Sequence, residues 1–141
     1  MSQRRARHST VPARPLDTGP CPCGGGGYGS CCGPAHRGER AAPTAEALMR
    51  SRYSAFAVGD RAYLERTWHP DTRPARVEAD PGTEWTGLEI LETGGGTPFH
   101  SDGTVRFRAR YREGARVGEM VEHSRFVRLD GAWVYLDALP A

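Results

Sequence analysis

The four cysteines of the chain lie within a span of twelve residues as two pairs, Cys21 with Cys23 and Cys31 with Cys32. The segment between the pairs is mostly glycine and is able to fold back sharply, because glycine reaches positive φ without a clash of a Cβ atom. Two pairs of thiolates that such a turn brings together form a closed tetrahedral site, the usual arrangement for structural zinc. The sequence therefore predicts a metal centre with all four cysteines as ligands.

Bound Zn²⁺ is preferred over disulfide bonds at these cysteines. The N-terminus is basic but no apolar run follows it, as a secretory signal would require, and no stretch approaches the ~18 apolar residues of a membrane helix. We therefore expect a cytoplasmic protein without a membrane contact, in which clustered cysteines more often bind metal than pair. A bond between Cys21 and Cys23, or between Cys31 and Cys32, would also close a strained ring. Redox-active or free thiols are the alternative.

A histidine just beyond the cysteines leaves one position of the ligand set open. His36 lies four residues after Cys32 and is able to replace one of the adjacent pair, although an exposed loop histidine is the simpler interpretation. Arg37, Arg40 or backbone N–H groups are expected to offset the negative charge of a four-thiolate zinc site. Tyr28 is expected to pack over the site, where no other large apolar residue is available.

Composition divides the chain into three regions. Residues 1–18 carry four arginines and one acidic residue and are expected to be a disordered basic tail. Residues 19–40, the cysteine knuckle, are rich in glycine, and residues 41–141 are long enough for one ordinary domain. The formal net charge is only +2, so nucleic-acid binding is not required. The tail is able to contact nucleic acid or the ribosome, but a solvated tail is the preferred interpretation.

Two helices are predicted after the cysteine knuckle. Thr44 is a good N-cap for a helix over residues 45–58, and Gly59 is a typical C-terminal stop. Asp60 then caps a second helix over residues 61–68. A His-Pro pair follows and ends this helix, because the residue before proline avoids α geometry.

The second half of the chain is predicted to form strands. Residues 104–112 alternate between apolar side chains and arginines, as in a half-buried antiparallel strand. The Asp-Gly pair at 130–131 is a strong hairpin signal. With the other strands placed at 85–92, 116–128 and 132–136, the pattern indicates an α+β fold, in which a curved antiparallel sheet packs on helices.

The faces of these elements predict a buried ion pair. Arg52 falls in the apolar stripe of the first helix, and Glu122 lies on the inward face of the third strand if the arginines of the second strand face solvent. A buried carboxylate needs a partner, so we expect Arg52 and Glu122 to meet between the helices and the sheet. Glu119 is expected opposite one of the outer arginines, and Trp133 and Tyr135 are expected to be core or dimer-face aromatics.

Several short segments resemble those of a known bacterial family. Cys-Pro-Cys-Gly at 21–24, followed by Tyr28 and by Cys-Cys-Gly at 31–33, resembles the SEC-C zinc motif. Leu-Met-Arg-Ser-Arg-Tyr-Ser-Ala-Phe at 48–56 is similar to a run of the YchJ-like family, as are the segments at 67–70, 85–88 and 124–126. The resemblance implies an N-terminal zinc knuckle and a domain similar to nuclear transport factor 2 (NTF2), a cone of helices and curved sheet. It implies no established activity.

Two functions are compatible with this resemblance, and the preferred one is a small zinc-stabilised adaptor or binding module. The SEC-C motif resembles a docking element at the tail of the preprotein translocase motor, which implies an unidentified protein partner. Related cones also form homodimers through their sheets. An adaptor needs no nucleophile with a neighbouring base, and the sequence contains no obvious pair of that kind.

The alternative is a hydratase- or isomerase-like enzyme, or a small-ligand protein, with a pocket in the cone. Glu122 would then be a general base, Arg52 an anion anchor and His69 a second acid–base candidate. The pocket would be lined by Arg52, Tyr53, Trp68, Trp85, Glu122 and Ser124. A carboxylate held by an arginine has a lowered pKa and is a weak base near neutral pH, which argues against catalysis.

Overall fold

The structure is a computed structural model, and it describes residues 18–140. The predicted tail, apart from its last residue, lies outside the described residues. Three helices, one 3-10 turn and four strands follow each other along the chain, in agreement with the predicted α+β order. They are the turn Tyr28–Ser30, α1 (Gly33–His36), α2 (Ala45–Val58), α3 (Arg61–Arg66), β1 (Glu84–Gly95), β2 (Asp102–Glu113), β3 (Arg116–Leu129) and β4 (Ala132–Leu139).

The ends of α2 and the start of α3 are where the sequence predicts them. The hydroxyl of Thr44 accepts a hydrogen bond from the backbone N–H of Ala47 at 3.0 Å. Gly59 ends α2 with φ of 77°, a left-handed conformation that costs glycine little, and its N–H bonds the carbonyl of Ala55. The carboxylate of Asp60 accepts from the N–H of Tyr63 at 3.1 Å, which caps α3.

Helix α3 ends two residues earlier than the prediction, at Arg66 instead of Trp68. The backbone N–H of Tyr135 on β4 donates to the carbonyl of Thr67 at 2.8 Å, and the carbonyl of Tyr135 accepts from the N–H of His69 at 2.8 Å. Trp68 therefore forms a parallel bridge with Tyr135. Pairing with a strand requires extended backbone, so this contact between distant parts of the chain ends the helix.

The four strands form one antiparallel sheet in the order β1-β2-β3-β4. All four are longer than predicted, and β1 continues through Gly94 and Gly95 because they pair with Thr104 and Gly103 of β2. Asp130 and Gly131 have φ of 52° and 85°, as a type I′ hairpin turn requires. The hairpin prediction is therefore confirmed.

The two faces of the sheet differ as predicted. Val105, Phe107 and Ala109 of β2 are buried, and the arginines between them face the other side. Glu119 pairs with Arg110 in the strand register, and its Oε2 lies 3.2 Å from Nε of Arg108. These ion pairs are substantially exposed, so each one contributes little to stability.

Helix α2 lies between the sheet and the cysteine knuckle. It contacts β1, β2 and β4 on one side and α1 on the other. The core on the sheet side is formed by fully buried side chains such as Leu48, Val105 and Phe126. Trp133 is also buried, and its Nε1 donates to the carbonyl of Pro43 just before the helix at 3.2 Å. The position of α2 therefore connects the two candidate functional sites described below.

Candidate metal centre and ligand cavity

The four cysteine sulfurs lie together at one end of the molecule. All four lie within 4.8 Å of one another, with Cys23 Sγ at 3.5 Å from Cys31 Sγ and at 3.7 Å from Cys32 Sγ. A tetrahedral Zn²⁺ with Zn–S bonds of about 2.3 Å holds its ligand sulfurs about 3.8 Å apart. The arrangement therefore fits a single tetrahedral ion, and the four-cysteine cluster is able to hold a metal.

Backbone hydrogen bonds fold the glycine-rich segment around these sulfurs. The N–H of Cys21 donates to the carbonyl of Gly26 at 2.7 Å, and the N–H of Gly24 donates to the carbonyl of Cys21 at 3.0 Å. A Cβ atom at Gly25 would lie only 3.0 Å from Cys31 Sγ and 3.2 Å from Cys23 Sγ. Glycine is needed there because the backbone passes so close to the sulfurs.

The interpretation of His36 as an exposed loop residue is wrong, because its side chain is buried. Its Nε2 lies 2.9 Å from the carbonyl oxygen of Ser51 on α2, and its Nδ1 lies 2.7 Å from the hydroxyl of Tyr28. A carbonyl only accepts, so Nε2 is the donor and Nδ1 accepts from Tyr28. The histidine thus connects Tyr28 to α2 and lies outside the sulfur group. No local pattern signals this contact, since Ser51 is distant in the sequence.

Hydrogen bonds and burial make the four thiols unequal. Bonds from Cys23 and Cys32 lower the pKa of Cys21 well below its ordinary value. Burial, together with the neighbouring sulfurs, raises the pKa of Cys31 to about 12, and the bond to Cys21 raises that of Cys32 strongly. Four thiolates this close repel each other, so their joint ionisation requires a bound cation.

Two side chains of α2 contact the cysteine knuckle. Ser54 Oγ lies 3.4 Å from Cys21 Sγ and 3.3 Å from Cys32 Sγ. Arg50 Nη1 donates to the carbonyl of Cys23 at 3.1 Å. Arg50 was not among the cations predicted to lie near the cysteines. Arg37, which was predicted, forms an ion pair with Glu39, with Nε 2.8 Å from Oε2. The cysteines belong to the same buried cluster as the core of the sheet, so the knuckle packs directly on the domain.

A cavity of about 280 Å³, the cone cavity, lies on the other side of α2, between this helix and the sheet. Six of its twelve lining residues are aromatic, and all six residues that the sequence analysis assigned to a pocket lie around it. The lining residues are Met49, Arg52, Tyr53, Phe56, Trp68, Trp85, Phe107, Ala109, Met120, Glu122, Ser124 and Tyr135. The wall is therefore largely apolar, with one cationic and one anionic side chain.

Arg52 is almost completely buried in the wall of the cone cavity, with 4% of its surface exposed. Its Nη1 donates to the carbonyl of Leu64 at 3.0 Å and to Thr67 Oγ1 at 2.7 Å. The guanidinium carbon lies 5.0 Å from the centre of the Trp68 ring and 4.9 Å from that of Tyr135. Burial lowers the pKa of Arg52 to about 10, so the side chain remains charged at neutral pH.

Glu122 lines the same cavity but does not pair with Arg52 as predicted: within residues 18–140 the two form no salt bridge. Glu122 Oε2 instead accepts from Ser124 Oγ at 2.7 Å and from the Tyr135 hydroxyl at 3.2 Å. Burial and the nearby carboxylate raise the pKa of Tyr135. Residue types do not reveal the partners that Arg52 has in the structure, since one of them is a backbone carbonyl.

Two polar atoms in the wall have no hydrogen-bond partner among the described residues: the Tyr53 hydroxyl and Trp68 Nε1, both buried. The backbone amide of Gly87 lies near the Tyr53 hydroxyl without the geometry of a hydrogen bond. Burial raises the pKa of Tyr53 to about 12. An unsatisfied buried group costs about 1–3 kcal/mol, and such groups in native proteins usually have a functional or structural explanation.

The remaining candidates lie elsewhere. His69 is outside the lining of the cone cavity, and its Nδ1 accepts from the backbone N–H of Asp71 at 3.0 Å in the turn after α3. Tyr135, which was expected in the core or at a dimer face, lines the cavity; its inward position follows from that of Trp133 two residues earlier on the same strand. Among the described residues, no helix is long and apolar enough to cross a membrane.

An antiparallel sheet with helices on one face, preceded by a four-cysteine knuckle, defines an NTF2-like domain with an N-terminal SEC-C motif. The family described as "YchJ, middle NTF2-like domain" matches residues 44–138. A UPF0225 protein of Streptomyces coelicolor is 62% identical over 123 residues, which cover 86% of this chain and 96% of the relative. A UPF0225 protein of Ralstonia nicotianae is 50% identical over 135 residues, 87% of this chain and 92% of the relative. The chain therefore belongs to the YchJ-like, UPF0225 family.

Two solved structures have the same architecture. The solution structure of a SEC-C motif containing protein from Rhodopseudomonas palustris has a TM-score of 0.76 at 33% identity, and the match covers 86% of this chain and 98% of that protein. The crystal structure of a SEC-C motif containing protein from Psychrobacter arcticus has a TM-score of 0.65 at 25% identity, with 94% and 85% covered. Both support the fold and the N-terminal cysteine motif.

Proposed function

We propose that this protein binds a small, mostly apolar molecule in the cone cavity, and that Zn²⁺ in the cysteine knuckle holds α2 in place for it. The observation that carries the proposal is the composition of the cavity wall. Within residues 18–140, a buried guanidinium without a carboxylate salt bridge lines a mostly aromatic cavity, and two fully buried polar atoms of lining residues have no hydrogen-bond partner. A wall of that kind is costly in an empty cavity and useful in a binding site.

The volume of the cavity limits the size of the ligand. About 280 Å³ corresponds to about nine water molecules at roughly 30 Å³ each. A ligand of about ten non-hydrogen atoms therefore fits, which is one substituted ring rather than a drug-sized molecule or a dinucleotide. Aromatic and methionine side chains offer flat, polarisable surfaces to such a ring.

Zinc is the metal that the donor set of the knuckle supports best. Thiolates are soft ligands, which do not suit magnesium or calcium, and the spacing of the cysteines is not that of an iron–sulfur cluster. Four protein sulfurs complete a tetrahedral shell and leave no open position for a substrate. The metal is therefore assigned a structural role, and the ligand is assigned to the other side of α2.

Binding is favoured over catalysis by the side chains in the cavity. No histidine, cysteine or lysine lines it within the described residues, and Glu122 Oε2 already accepts two hydroxyl hydrogen bonds. His69, the other acid–base candidate, lies outside the lining. A hydratase or isomerase would have to use the remaining oxygen of Glu122 alone, so a ligand-binding role is the simpler assignment.

Titration with toluene and indole, followed by ¹H–¹⁵N NMR, tests the proposal. We expect saturable shifts confined to amides around the cone cavity. Ala109→Leu should fill the cavity and remove binding, since Ala109 lines it, whereas the exposed Ala138→Leu on β4 should bind as the wild type does. Equal binding by Ala109→Leu and the wild type would place the ligand elsewhere, and the absence of saturable binding to the wild type would refute the proposal.

A second candidate function, docking of a protein partner, is supported by Phe99 in the loop between β1 and β2. Its side chain is 97% exposed. Arg128 holds this loop through hydrogen bonds from Nε to the carbonyl of His100 at 2.8 Å and from Nη2 to that of Pro98 at 2.9 Å. A rigidly presented aromatic side chain is a common anchor in protein interfaces. Phe99→Ser should then abolish partner capture that Val117→Ser, a change of another exposed apolar side chain, leaves intact.

The outer face of the sheet supports a homodimer better than nucleic-acid binding. Arg108 Nη1 lies 2.9 Å from a carboxylate oxygen of Glu89, and Arg112 Nη2 lies 2.7 Å from one of Glu84. Much of the positive charge on this face is therefore already neutralised. Val121 is an exposed apolar side chain on the same face. Analytical ultracentrifugation tests the dimer: Val121→Arg should shift a dimer to monomer, and a monomeric wild type would exclude it.

A further inference from the structure

We propose that the ligand of the cone cavity is a neutral, planar aromatic molecule with a hydrogen-bond acceptor at one end and a hydrogen-bond donor at the other. Aromatic amides and ketones that carry a ring hydroxyl belong to this class. The inference rests on the proposed function, because it takes the cavity as the binding site and adds the chemistry of its occupant. Three features of the wall lead to it.

The first feature is the guanidinium of Arg52, which calls for an acceptor. Its hydrogen bonds within residues 18–140 use Nη1 only, which leaves the N–H groups of Nε and Nη2 for a ligand. Neither nitrogen is among the fully buried atoms without a partner, so both keep some accessible surface in a residue that lines the cavity. A carbonyl oxygen on the ligand would accept from this edge, and a hydrogen bond from a charged donor is stronger than one between neutral groups.

The second feature is the carboxylate of Glu122, which calls for a donor. Oε2 accepts the hydroxyls of Ser124 and Tyr135, whereas no described residue donates to Oε1. A carboxylate is only an acceptor, so the group that completes it must carry an O–H or N–H. The two hydroxyl bonds fix the carboxylate in one orientation, and Oε1 is therefore a preformed acceptor.

The third feature is the contact of both groups with one aromatic side chain. Both contact Tyr135: the guanidinium carbon lies 4.9 Å from the centre of the ring, and the carboxylate lies 3.2 Å from the hydroxyl. Arg52 thus contacts the ring of Tyr135 and Glu122 contacts its hydroxyl. Within the described residues the two charged groups form no salt bridge with each other. A ligand ring with substituents on opposite carbons would direct one polar group toward Arg52 and the other toward Glu122.

The charges of the cavity make the ligand neutral. Among the described residues, Arg52 and Glu122 are the only charged side chains in the lining, and their formal charges cancel. An ionised ligand would bring an uncompensated charge against a mostly aromatic wall, where it would lose part of its hydration. The cavity should therefore select a neutral dipolar molecule over the corresponding carboxylate anion.

The experiment is a calorimetric and NMR comparison of five probes at pH 7: 4-hydroxybenzamide, benzamide, phenol, 4-hydroxybenzoate and toluene. 4-Hydroxybenzamide should bind most tightly, and loss of either polar group should weaken binding by about tenfold or more, the usual effect of a hydrogen bond to a charged group. 4-Hydroxybenzoate, ionised at this pH, should also bind about tenfold or more weakly than the amide.

Glu122→Gln and the outer-face control Glu119→Gln assign the donor end. The first variant should reduce the advantage of 4-hydroxybenzamide over benzamide, and the second should leave it unchanged. Toluene that binds as well as 4-hydroxybenzamide would overturn the ligand class while the proposed cavity function stands. Preference for 4-hydroxybenzoate would overturn its neutrality, and no binding of any probe, toluene included, would refute the proposed function itself.

Discussion

The cysteine knuckle and the cone cavity lie on opposite sides of α2 and are built in opposite ways. The knuckle collects its sulfurs from twelve consecutive residues, and short backbone hydrogen bonds fold it. The cavity takes its wall from α2, from the segment after α3 and from all four strands, and two buried polar atoms of lining residues have no partner among the described residues. A local site that is closed on itself suits a structural metal, whereas a non-local site with unsatisfied groups suits a ligand.

Helix α2 links these two regions through its two faces. Ser51 and Ser54 contact the knuckle, and Met49, Arg52 and Tyr53 line the cavity. Any loss of order in the knuckle therefore removes support from the helix that carries Arg52, the buried cation of the cavity. Variants that change only one of the two regions test how far each depends on the other.

Loss of the metal should have the largest effect. Cys23→Ser, or treatment with a strong chelator, should remove about one zinc per chain and lower the free energy of unfolding by several kcal/mol, because structural zinc binding is part of folding. Mass spectrometry of the metal content and thermal unfolding by circular dichroism measure the two effects. Ser30→Ala, an exposed change in the same loop, is the control. An unchanged melting temperature after metal loss would mean that α2 does not depend on the knuckle.

Removal of the buried cation of the cavity should have an intermediate effect. Arg52→Met leaves the carbonyl of Leu64 and the hydroxyl of Thr67 without a donor, so we expect a loss of about 1–3 kcal/mol in urea unfolding. Arg110→Met on the exposed face should cost less than about 0.5 kcal/mol. A loss of about 3–5 kcal/mol would instead indicate that Arg52 and Glu122 form a buried ion pair in solution.

The serine beneath the sulfurs should affect the metal more than the cavity. Ser54→Ala removes the hydroxyl that contacts Cys21 and Cys32, and zinc affinity should fall by about 10–100-fold, as is typical when a group that orients metal ligands is lost. Competition with a chromogenic chelator measures this affinity. Toluene binding should be unchanged when zinc is saturating, and the exposed Ser101→Ala should alter neither property. A parallel loss of toluene binding would show that the two regions are coupled beyond the presence of the metal.

The smallest effect is expected for the unsatisfied hydroxyl of Tyr53. Tyr53→Phe should be neutral or stabilising by up to about 1 kcal/mol at pH 7, because the hydroxyl has no partner among the described residues. Its pKa is raised to about 12 in the fold, so the hydroxyl ionises more readily in the unfolded chain. The free energy of unfolding of the wild type is therefore unaffected by this group below pH 10 and falls as the pH rises from 10 toward 12.

Urea unfolding at pH 7 and at pH 11 checks both parts of this prediction. The phenylalanine variant should lose less stability than the wild type between the two values, because it lacks one group that ionises more readily when unfolded. Tyr111→Phe, at a half-buried tyrosine on β2, is the matched control. A destabilisation of more than about 1 kcal/mol at pH 7 would mean that the Tyr53 hydroxyl has a partner, such as the Gly87 amide.

Local features of this protein were readable from its sequence, because neighbours along the chain determine them. The caps at Thr44 and Asp60 act on N–H groups three residues further on, and the Asp130 hairpin needs only its own turn conformation. The alternation along β2 separates its buried face from its arginine face without reference to any other strand. The cysteine pairs likewise need only one glycine-rich turn to approach each other.

Only the tertiary structure decided the contacts between segments far apart in the chain. The end of α3, the burial of His36 against Ser51 and the bonds of Arg52 to a backbone carbonyl all depend on elements that meet only after folding. The predicted ion pair failed for the same reason: charge and amphipathic position bring Arg52 and Glu122 to one cavity, but the hydroxyl of Tyr135 and the end of α3 satisfy them separately. Residue pattern determines which side chains face inward, and three-dimensional packing determines which partners they find there.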